Sequence, residues 1–458
     1  MKSLVVATLS LFLSAACLAE KPNVLLIYVD DLGYGDLGLY GHPVIQTPNI
    51  DALGREGMTF TNYYAPSALC SPSRAGVLTG RAPYRTGIKS WIPEDTGIFL
   101  RDEEVTLAEV LGAEGYATAL IGKWHLNSDL AALDEPQPTD QGFDYFYGHN
   151  AFQTPTNKNP DNIYRDRELL PPQEGYTAEL YADEAIDWME QNSGQPFFLF
   201  LSMAEPHTPI ENPPEYNEIY SEFTDGPVVP IPSGRSEIPV ETLVARGPGE
   251  YYANITYMDQ QLGRVLQWMD RKGLGENTIV IFTSDNGPVT SRWINWWETN
   301  AYGSTGGYRG RKHLQYEGGI KVPAVIRYPG TVEPGSTSDE LLVGTDLFVT
   351  LAHLGGGTVP DDRPIDGVDA RAVLTGGELA ARTVFWALDS VSDFEFVVRD
   401  GDWKLFVDRD GQPQELYDLA RDPLEFFNVQ EDNPEVVADL MSQLMAQHYL
   451  RDAINSND

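Results

Sequence analysis

Val24-Leu25-Leu26-Ile27-Tyr28-Val29-Asp30-Asp31 is the stretch from which the fold is read. Its unbroken run of apolar and aromatic residues predicts a strand buried on both faces, the condition of a parallel strand inside an α/β sheet. Asp30 and Asp31 then stand at the carboxyl end of that strand, the edge where ligands of such sheets sit. Two adjacent carboxylates repel each other. A hard cation such as calcium or magnesium resolves the repulsion, and a solvated acidic turn is the other reading. The stretch Gly33-Tyr34-Gly35-Asp36-Leu37-Gly38 formally matches a dinucleotide loop. Asp30, Asp31 and Asp36 would crowd a pyrophosphate with negative charge, so that reading fails.

Outward from this strand, helical and strand patterns alternate. Glu103 to Glu114 has helical spacing, and Ala117 to Ile121 returns as a strand. Ala178 to Gln191 is helical and precedes the apolar run Phe197 to Leu201; Tyr251 to Arg271 is a long amphipathic helix before a strand at Thr278 to Thr283. Such alternation predicts an α/β sheet covered by helices on both faces. From about residue 382 the pattern changes to short strands at Val384 to Leu388, Phe394 to Arg399, Trp403 to Val407 and Glu415 to Tyr417. Turns at Asp400-Gly401 and Asp410-Gly411 join them, and a last helix is expected from Pro434 to Tyr449. The expected organisation is a leader over 1–19, a main domain over 20–381 and a small antiparallel subdomain over 382–458. Pro-rich stretches at 206–214 and 227–239 read as surface loops.

Composition narrows the function. Of 458 residues, 42% are hydrophobic and 22% charged, which is ordinary globular usage and excludes wholesale disorder. Asp and Glu total 68 against 31 Lys and Arg, a net charge of -37. A general nucleic-acid binder needs the opposite balance. An acidic excess suits salty media, where self-repulsion is screened. Lys2 followed by the apolar run Leu4 to Ala16 and by Cys17-Leu18-Ala19 reads as a secretory signal cut after Ala19, implying a periplasmic or secreted protein. Ala15-Ala16-Cys17 also approaches a lipobox, so anchoring through Cys17 is the alternative. No later stretch is long and apolar enough to predict a transmembrane span. After processing, Cys70 is the single cysteine, which excludes an internal disulfide.

That cysteine opens the segment Cys70-Ser71-Pro72-Ser73-Arg74-Ala75-Gly76-Val77-Leu78-Thr79-Gly80-Arg81. Pro72 suits a helix start, which puts Cys70 at a helix N-terminus with Arg74 one turn on. The segment resembles the signature of the type I, formylglycine-dependent sulfatase family: cysteine, any residue, proline, any residue, arginine, then Thr-Gly. Within that family the likeness points to arylsulfatases and N-acetylgalactosamine sulfatases. Five further stretches match in chain order: Asp30-Asp31, Gly122-Lys123-Trp124-His125, Pro206-His207-Thr208-Pro209, Ser284-Asp285-Asn286-Gly287, and Arg309-Gly310-Arg311-Lys312 before Tyr316-Glu317-Gly318-Gly319. Asn127 stands where glycine is frequent.

The resemblance implies an alkaline-phosphatase-like sandwich, with a large mixed, mostly parallel sheet between helices and a smaller C-terminal subdomain. It implies sulfate-ester hydrolysis, with Cys70 converted to Cα-formylglycine by a dedicated maturation enzyme. Asp30, Asp31, Asp285, Asn286 and the modified Cys70 would hold one calcium ion. Arg74, Lys123 and Lys312 would bind sulfate oxygens. His125 and His207 would divide the roles of base and acid, in an order that spacing leaves open. A phosphatase or phosphonate monoester hydrolase of the same superfamily is the alternative. Asn286 and the complete cysteine signature favour sulfate and one calcium over it, and a non-catalytic sulfoglycan-binding protein is a further reading.

The expected substrate is a sulfated carbohydrate, an algal galactan or a glycosaminoglycan oligosaccharide. Trp91, Trp293, Trp296 and Trp297 would stack on sugar rings or else pack a core, with Arg292, Arg309 and Arg311 meeting further anionic groups. His42, His149, His313, His353 and His448 lie outside any motif and read as structural. Glu317-Gly318-Gly319 reads as a turn. The sequon Asn254-Ile255-Thr256 falls inside a predicted helix.

Overall fold

Strand β1 (Asn23–Val29) is buried at every position, as its apolar run requires. The structure, a computed structural model, describes residues 21–223, 247–289, 302–389 and 394–455. The leader with Cys17, the 227–239 loop, and Arg292, Trp293, Trp296 and Trp297 lie outside the described residues.

The remaining strands are β2 (Met58–Phe60), β3 (Tyr63–Tyr64), β4 (Ala117–Lys123), β5 (Tyr145–His149), β6 (Tyr164–Arg165), β7 (Glu168–Leu169), β8 (Phe197–Ser202), β9 (Thr278–Ser284), β10 (Ala324–Arg327), β11 (Ser336–Ser338), β12 (Leu342–Val343), β13 (Thr383–Ala387), β14 (Phe396–Asp400), β15 (Trp403–Val407) and β16 (Pro413–Asp418). The helices are α1 (Pro48–Glu56), α2 (Cys70–Thr79), α3 (Pro83–Thr86), α4 (Leu107–Ala113), α5 (Thr177–Asn192), α6 (Pro214–Ile219), α7 (Pro248–Arg271), α8 (Glu317–Ile320), α9 (Thr345–Leu354), α10 (Arg371–Leu374), α11 (Pro434–Ala446) and α12 (His448–Asn455).

Ten strands form one sheet in the order β11-β2-β10-β9-β1-β8-β4-β5-β6-β7. Its centre, β9-β1-β8-β4-β5, is parallel throughout. β10, β6 and β7 pair antiparallel at the flanks. Side chains leave a strand alternately to the two faces. Leu26, Leu120 and Phe200 therefore meet α2, α4 and α9 on one side, while Leu25, Ile121 and Leu201 meet α1, α5 and α7 on the other. The sheet is mixed and mostly parallel between two helical layers. Gly122 allows a close approach inside it. Its φ is 114°, and a Cβ there would stand 1.7 Å from Ser202 O on β8.

The C-terminal strands make a separate antiparallel sheet, β13-β14-β15-β16. One face, with Trp386 and Phe406, packs on Tyr64, Tyr316 and Ile320 of the main body. The other carries α11 and α12.

Several element bounds differ from the sequence expectation for local reasons. α4 starts at Leu107 rather than Glu103, because Thr106 and Glu109 close a reciprocal capping box. The last helix is two helices. Gln447 leaves helical geometry with ψ 102°, and the chain resumes at His448. The expected turn at Glu317 is the short helix α8. Asn254 of the sequon is buried within α7.

Candidate active site

The five parallel strands end at one edge of the sheet, and each delivers polar side chains there. β1 delivers Asp30 and Asp31, and β9 delivers Asp285 and Asn286. β4 ends on Lys123 and leads to His125, β8 leads to His207, and β5 ends on His149. The start of α2 brings Cys70 and Arg74, and the loop before α8 brings Lys312.

Arg74 is fully buried and tied at three points. Nη1 donates to Lys123 O at 3.0 Å and to Ser202 Oγ at 2.6 Å, and Nη2 donates to Asp285 Oδ2 at 2.8 Å. Its guanidinium also lies over the Tyr28 ring, 5.5 Å from the centroid. Lys123 Nζ donates to Asp30 Oδ2 at 2.6 Å, and Lys312 Nζ donates to Asp31 Oδ1 at 2.6 Å. Asn286 Nδ2 donates to the same Asp31 oxygen at 2.7 Å. The backbone N–H of Asp31 reaches Asp285 Oδ1 at 3.1 Å. Asp31 and His125 both adopt left-handed backbone, with φ 67° and 57°, a cost that clusters at functional positions.

These contacts set the electrostatics. Burial alone would raise the Asp30 carboxyl, yet Lys123, His207, Arg74 and Lys312 hold it well below the usual carboxylate range. Asp285 is pushed up to about 7, by burial first and by Asp30 next, against the pull of Arg74. Burial also raises the Cys70 thiol, with Lys123 and Lys312 opposing it. Burial works against the charge of Lys312, and Asp31 with Cys70, Asp30 and Asp285 outweighs it, so the ammonium is held above its usual range. His125 is kept neutral by burial and then by Lys123. His207 is lowered by burial, with Asp30 and Asp31 favouring its proton.

The donor set suits a hard cation. The ligand atoms of Asp30, Cys70 and Asp285 lie within 4.8 Å of one another, as do those of Asp30, Asp31 and His207. Asp30 Oδ1 and Asn286 Oδ1 are buried and accept no hydrogen bond among the described residues. Unsatisfied buried oxygens are costly, and at such a cluster they mark a place for an ion.

Trp91 lies in the loop between α3 and α4. It is 44% exposed, and its neighbour Ile92 joins the site: Ile92 N donates to Ser71 Oγ, and Ile92 O accepts from His125 Nε2 at 3.0 Å. Arg309 is drawn toward the C-terminal sheet. It stacks on Tyr316 at 3.9 Å and donates to Tyr417 Oη and Glu425 O. Arg311 Nη1 donates to Val289 O at 3.1 Å. Sequence reasoning missed Ser202, whose place at a strand end was a usable signal. His149, read as structural for want of a motif, stands at the end of β5 on this same edge.

A family model described as sulfatase matches residues 22–357, and one described as N-sulphoglucosamine sulphohydrolase, C-terminal, matches residues 307–450. The chain is 33% identical to the N-acetylgalactosamine-6-sulfatase of Canis lupus familiaris over 401 residues, covering 82% of this chain and 70% of that protein. It is 32% identical to arylsulfatase A of Bos taurus over 498 aligned residues, covering 97% of this chain and 90% of that protein. Among solved structures, Ps i-CgsB in complex with k-i-k-neocarrahexaose superposes with a TM-score of 0.78 at 23% identity, covering 94% of this chain and 93% of that one. Together, the motifs at the strand ends and a likeness that runs through both sheets make the chain a member of the sulfatase family, a hydrolase of sulfuric esters.

Proposed function

We propose that this chain removes sulfate from a sulfated carbohydrate outside the cytoplasm, using Cα-formylglycine made from Cys70 and one calcium ion. One observation carries the reading: Cys70, three cations and four oxygen donors meet at a single buried sheet edge. Its Sγ stands where the two hydroxyls of a hydrated formylglycine would stand. Such a hydrate offers one hydroxyl to attack sulfur and a second to expel sulfate.

Bound by Asp30, Asp31, Asp285 and Asn286, calcium would supply positive charge and neutralise the carboxylates that Lys123 and Lys312 engage. Lys123 and Lys312 would meet the sulfate oxygens, where preorganised cations stabilise the charge of the transition state. Arg74, held by Ser202, Lys123 O and Asp285, fixes the start of α2 against the β8 and β9 ends. Asp285 takes the proton of the attacking hydroxyl.

Hydrogen bonding supports a division of roles between the two histidines. His125 Nε2 faces the Ile92 carbonyl, which can only accept, so Nε2 carries the hydrogen. Nδ1, buried and without a partner among the described residues, keeps its lone pair, which is the form of a base. His207 Nδ1 donates to Thr208 O at 2.5 Å, and its Nε2 lies 3.7 Å from Asp31 Oδ2. That carboxylate favours a proton on Nε2, which suits the acid that protonates the leaving alcohol.

The carbohydrate class is supported by the N-acetylgalactosamine-6-sulfatase relative and by the neocarrahexaose bound to Ps i-CgsB. Trp91 in the loop between α3 and α4 offers a stacking face. Residues 20–381 would form the catalytic part and 382–458 the subdomain, after removal of 1–19. The test is mass spectrometry of active protein together with sulfate release. An aldehyde at residue 70, and no turnover by Cys70→Ala, is the expected result. Full activity from protein carrying only the thiol refutes the mechanism.

A further inference from the structure

β5 ends on a histidine that no motif claims. His149 pairs in register with Lys123 across the parallel β4 and β5, so both side chains leave the same face of the sheet. The residue is fully buried. Its Nδ1 lies 2.5 Å from Tyr181 Oη on α5, and the two rings are nearly coplanar, 2° apart. Tyr181 is buried as well and keeps its hydroxyl proton far above the ordinary range, through burial first and then Glu205 and Tyr147. With the phenol hydrogen directed at Nδ1, that nitrogen is the acceptor. The neutral imidazole therefore carries its own hydrogen on Nε2.

That Nε2–H has no partner among the described residues. Leaving a buried donor unmet is costly, and a specific unmet donor in a native fold calls for an explanation. The charged groups acting on the ring are Lys123, Asp30, Arg74 and His207, all members of the active site. Lys123 is fully buried, and on the reading proposed above it meets the sulfuryl group of the substrate.

We infer that His149 donates its Nε2 hydrogen to an oxygen of the bound sulfuryl group, beside Lys123, with Tyr181 fixing its tautomer. His149 is then a further catalytic residue, and Tyr181 is a positioning residue behind it. The inference rests on the sulfate pocket proposed above, and the wild type separates the two. Inorganic sulfate should inhibit wild-type hydrolysis of an aryl sulfate competitively; if it does not, the pocket reading itself fails.

The experiment compares matured wild type, His149→Leu and Tyr181→Phe on an aryl sulfate and on a monosulfated sugar, with inorganic sulfate as inhibitor. Loss of one preorganised donor should lower kcat/KM of His149→Leu by on the order of 10²-fold on both substrates. The sulfate inhibition constant should rise by about 2–10-fold, the value of one hydrogen bond. Tyr181→Phe removes a single oxygen and should move both readings the same way by a smaller factor. It carries the decision if His149→Leu does not fold. A merely structural histidine would lower thermal stability and leave the sulfate constant unchanged, which overturns the inference. A loss confined to the sugar sulfate would place His149 on the leaving group and overturns it too.

Discussion

Lys404 on β15 is placed to neutralise two buried carboxylates at once. Its Nζ is 2.9 Å from Glu317 Oε1 and 2.9 Å from Glu425 Oε1, and all three side chains are almost fully buried. Glu317 also accepts from Tyr64 Oη at 2.6 Å, and its backbone N–H reaches Glu425 Oε2 at 2.7 Å. Because Glu317 opens α8, just after the loop carrying Lys312, this ammonium ties the C-terminal sheet to the active-site edge. Lys404→Met keeps the length and removes the charge. Breaking a buried pair from one side costs about 3–5 kcal/mol.

The pH dependence follows from Glu425. Burial pushes its carboxyl up to about 7, with Lys404 opposing. A raised carboxyl contributes stability fully present below its unfolded pKa, about 4.3, and lost as pH rises through 7. Without Lys404 the carboxyl goes higher still and stays protonated to pH 8. Wild-type stability stops falling near pH 7, whereas that of the variant continues to fall. The deficit should therefore be about 1.4 kcal/mol larger at pH 8 than at pH 5, one pH unit of one proton. Urea unfolding at both pH values, followed by tryptophan fluorescence, measures it. A deficit under about 1 kcal/mol at both, or a larger one at pH 5, refutes the reasoning.

Other outcomes are expected elsewhere. Asp36 accepts from Gly33 N, Ser304 N and Tyr251 Oη, each at 2.7 Å, and burial pushes it up to about 7. Its contribution is present below pH 4 and lost through pH 7, so Asp36→Asn should flatten thermal stability over that range; an unchanged slope counts against it. Gly122→Ala, with its Cβ 1.7 Å from Ser202 O, should cost about 3 kcal/mol or more, and a near-native thermal midpoint would disprove the close approach. Chelation should lower both midpoint and turnover. Calcium at about 100 times its Kd should restore roughly 2.7 kcal/mol in the wild type and not in Asp30→Asn. Full activity in protein shown by elemental analysis to be calcium-free would exclude the ion.

What the sequence discloses depends on how local the physics is. β1 is legible because burial on both faces leaves an unbroken apolar run, and the helix at Cys70 is legible from Pro72. Asp30, Asp31, Arg74, Lys123, Asp285 and Lys312 are legible because each sits in a short motif, and the fold brings them together. β5 is not legible. Gly148 and His149 interrupt its apolar character, and the strand exists through pairing with β4, where Gly148 lets the Gly122 carbonyl come within what would be 1.8 Å of a Cβ. His149 therefore looked structural. Arg309 shows the converse. Its motif pointed to the substrate, while its partners Tyr417 and Glu425 lie more than a hundred residues away in sequence. Lys404 and Glu317, 87 residues apart, carry no shared pattern at all.

A site assembled from five strand ends also has a timetable. Asp31 and Asp285, which bond directly, are 254 residues apart. During synthesis at about 5–20 residues per second, the roughly 200 residues between Cys70 and β9 take on the order of 10–40 seconds. For that interval Cys70 has emerged while the strand that covers its pocket does not yet exist. Once folded, every residue of α2 is buried, Cys70 among them. Any enzyme that is to oxidise this thiol therefore meets it on the nascent or unfolded chain.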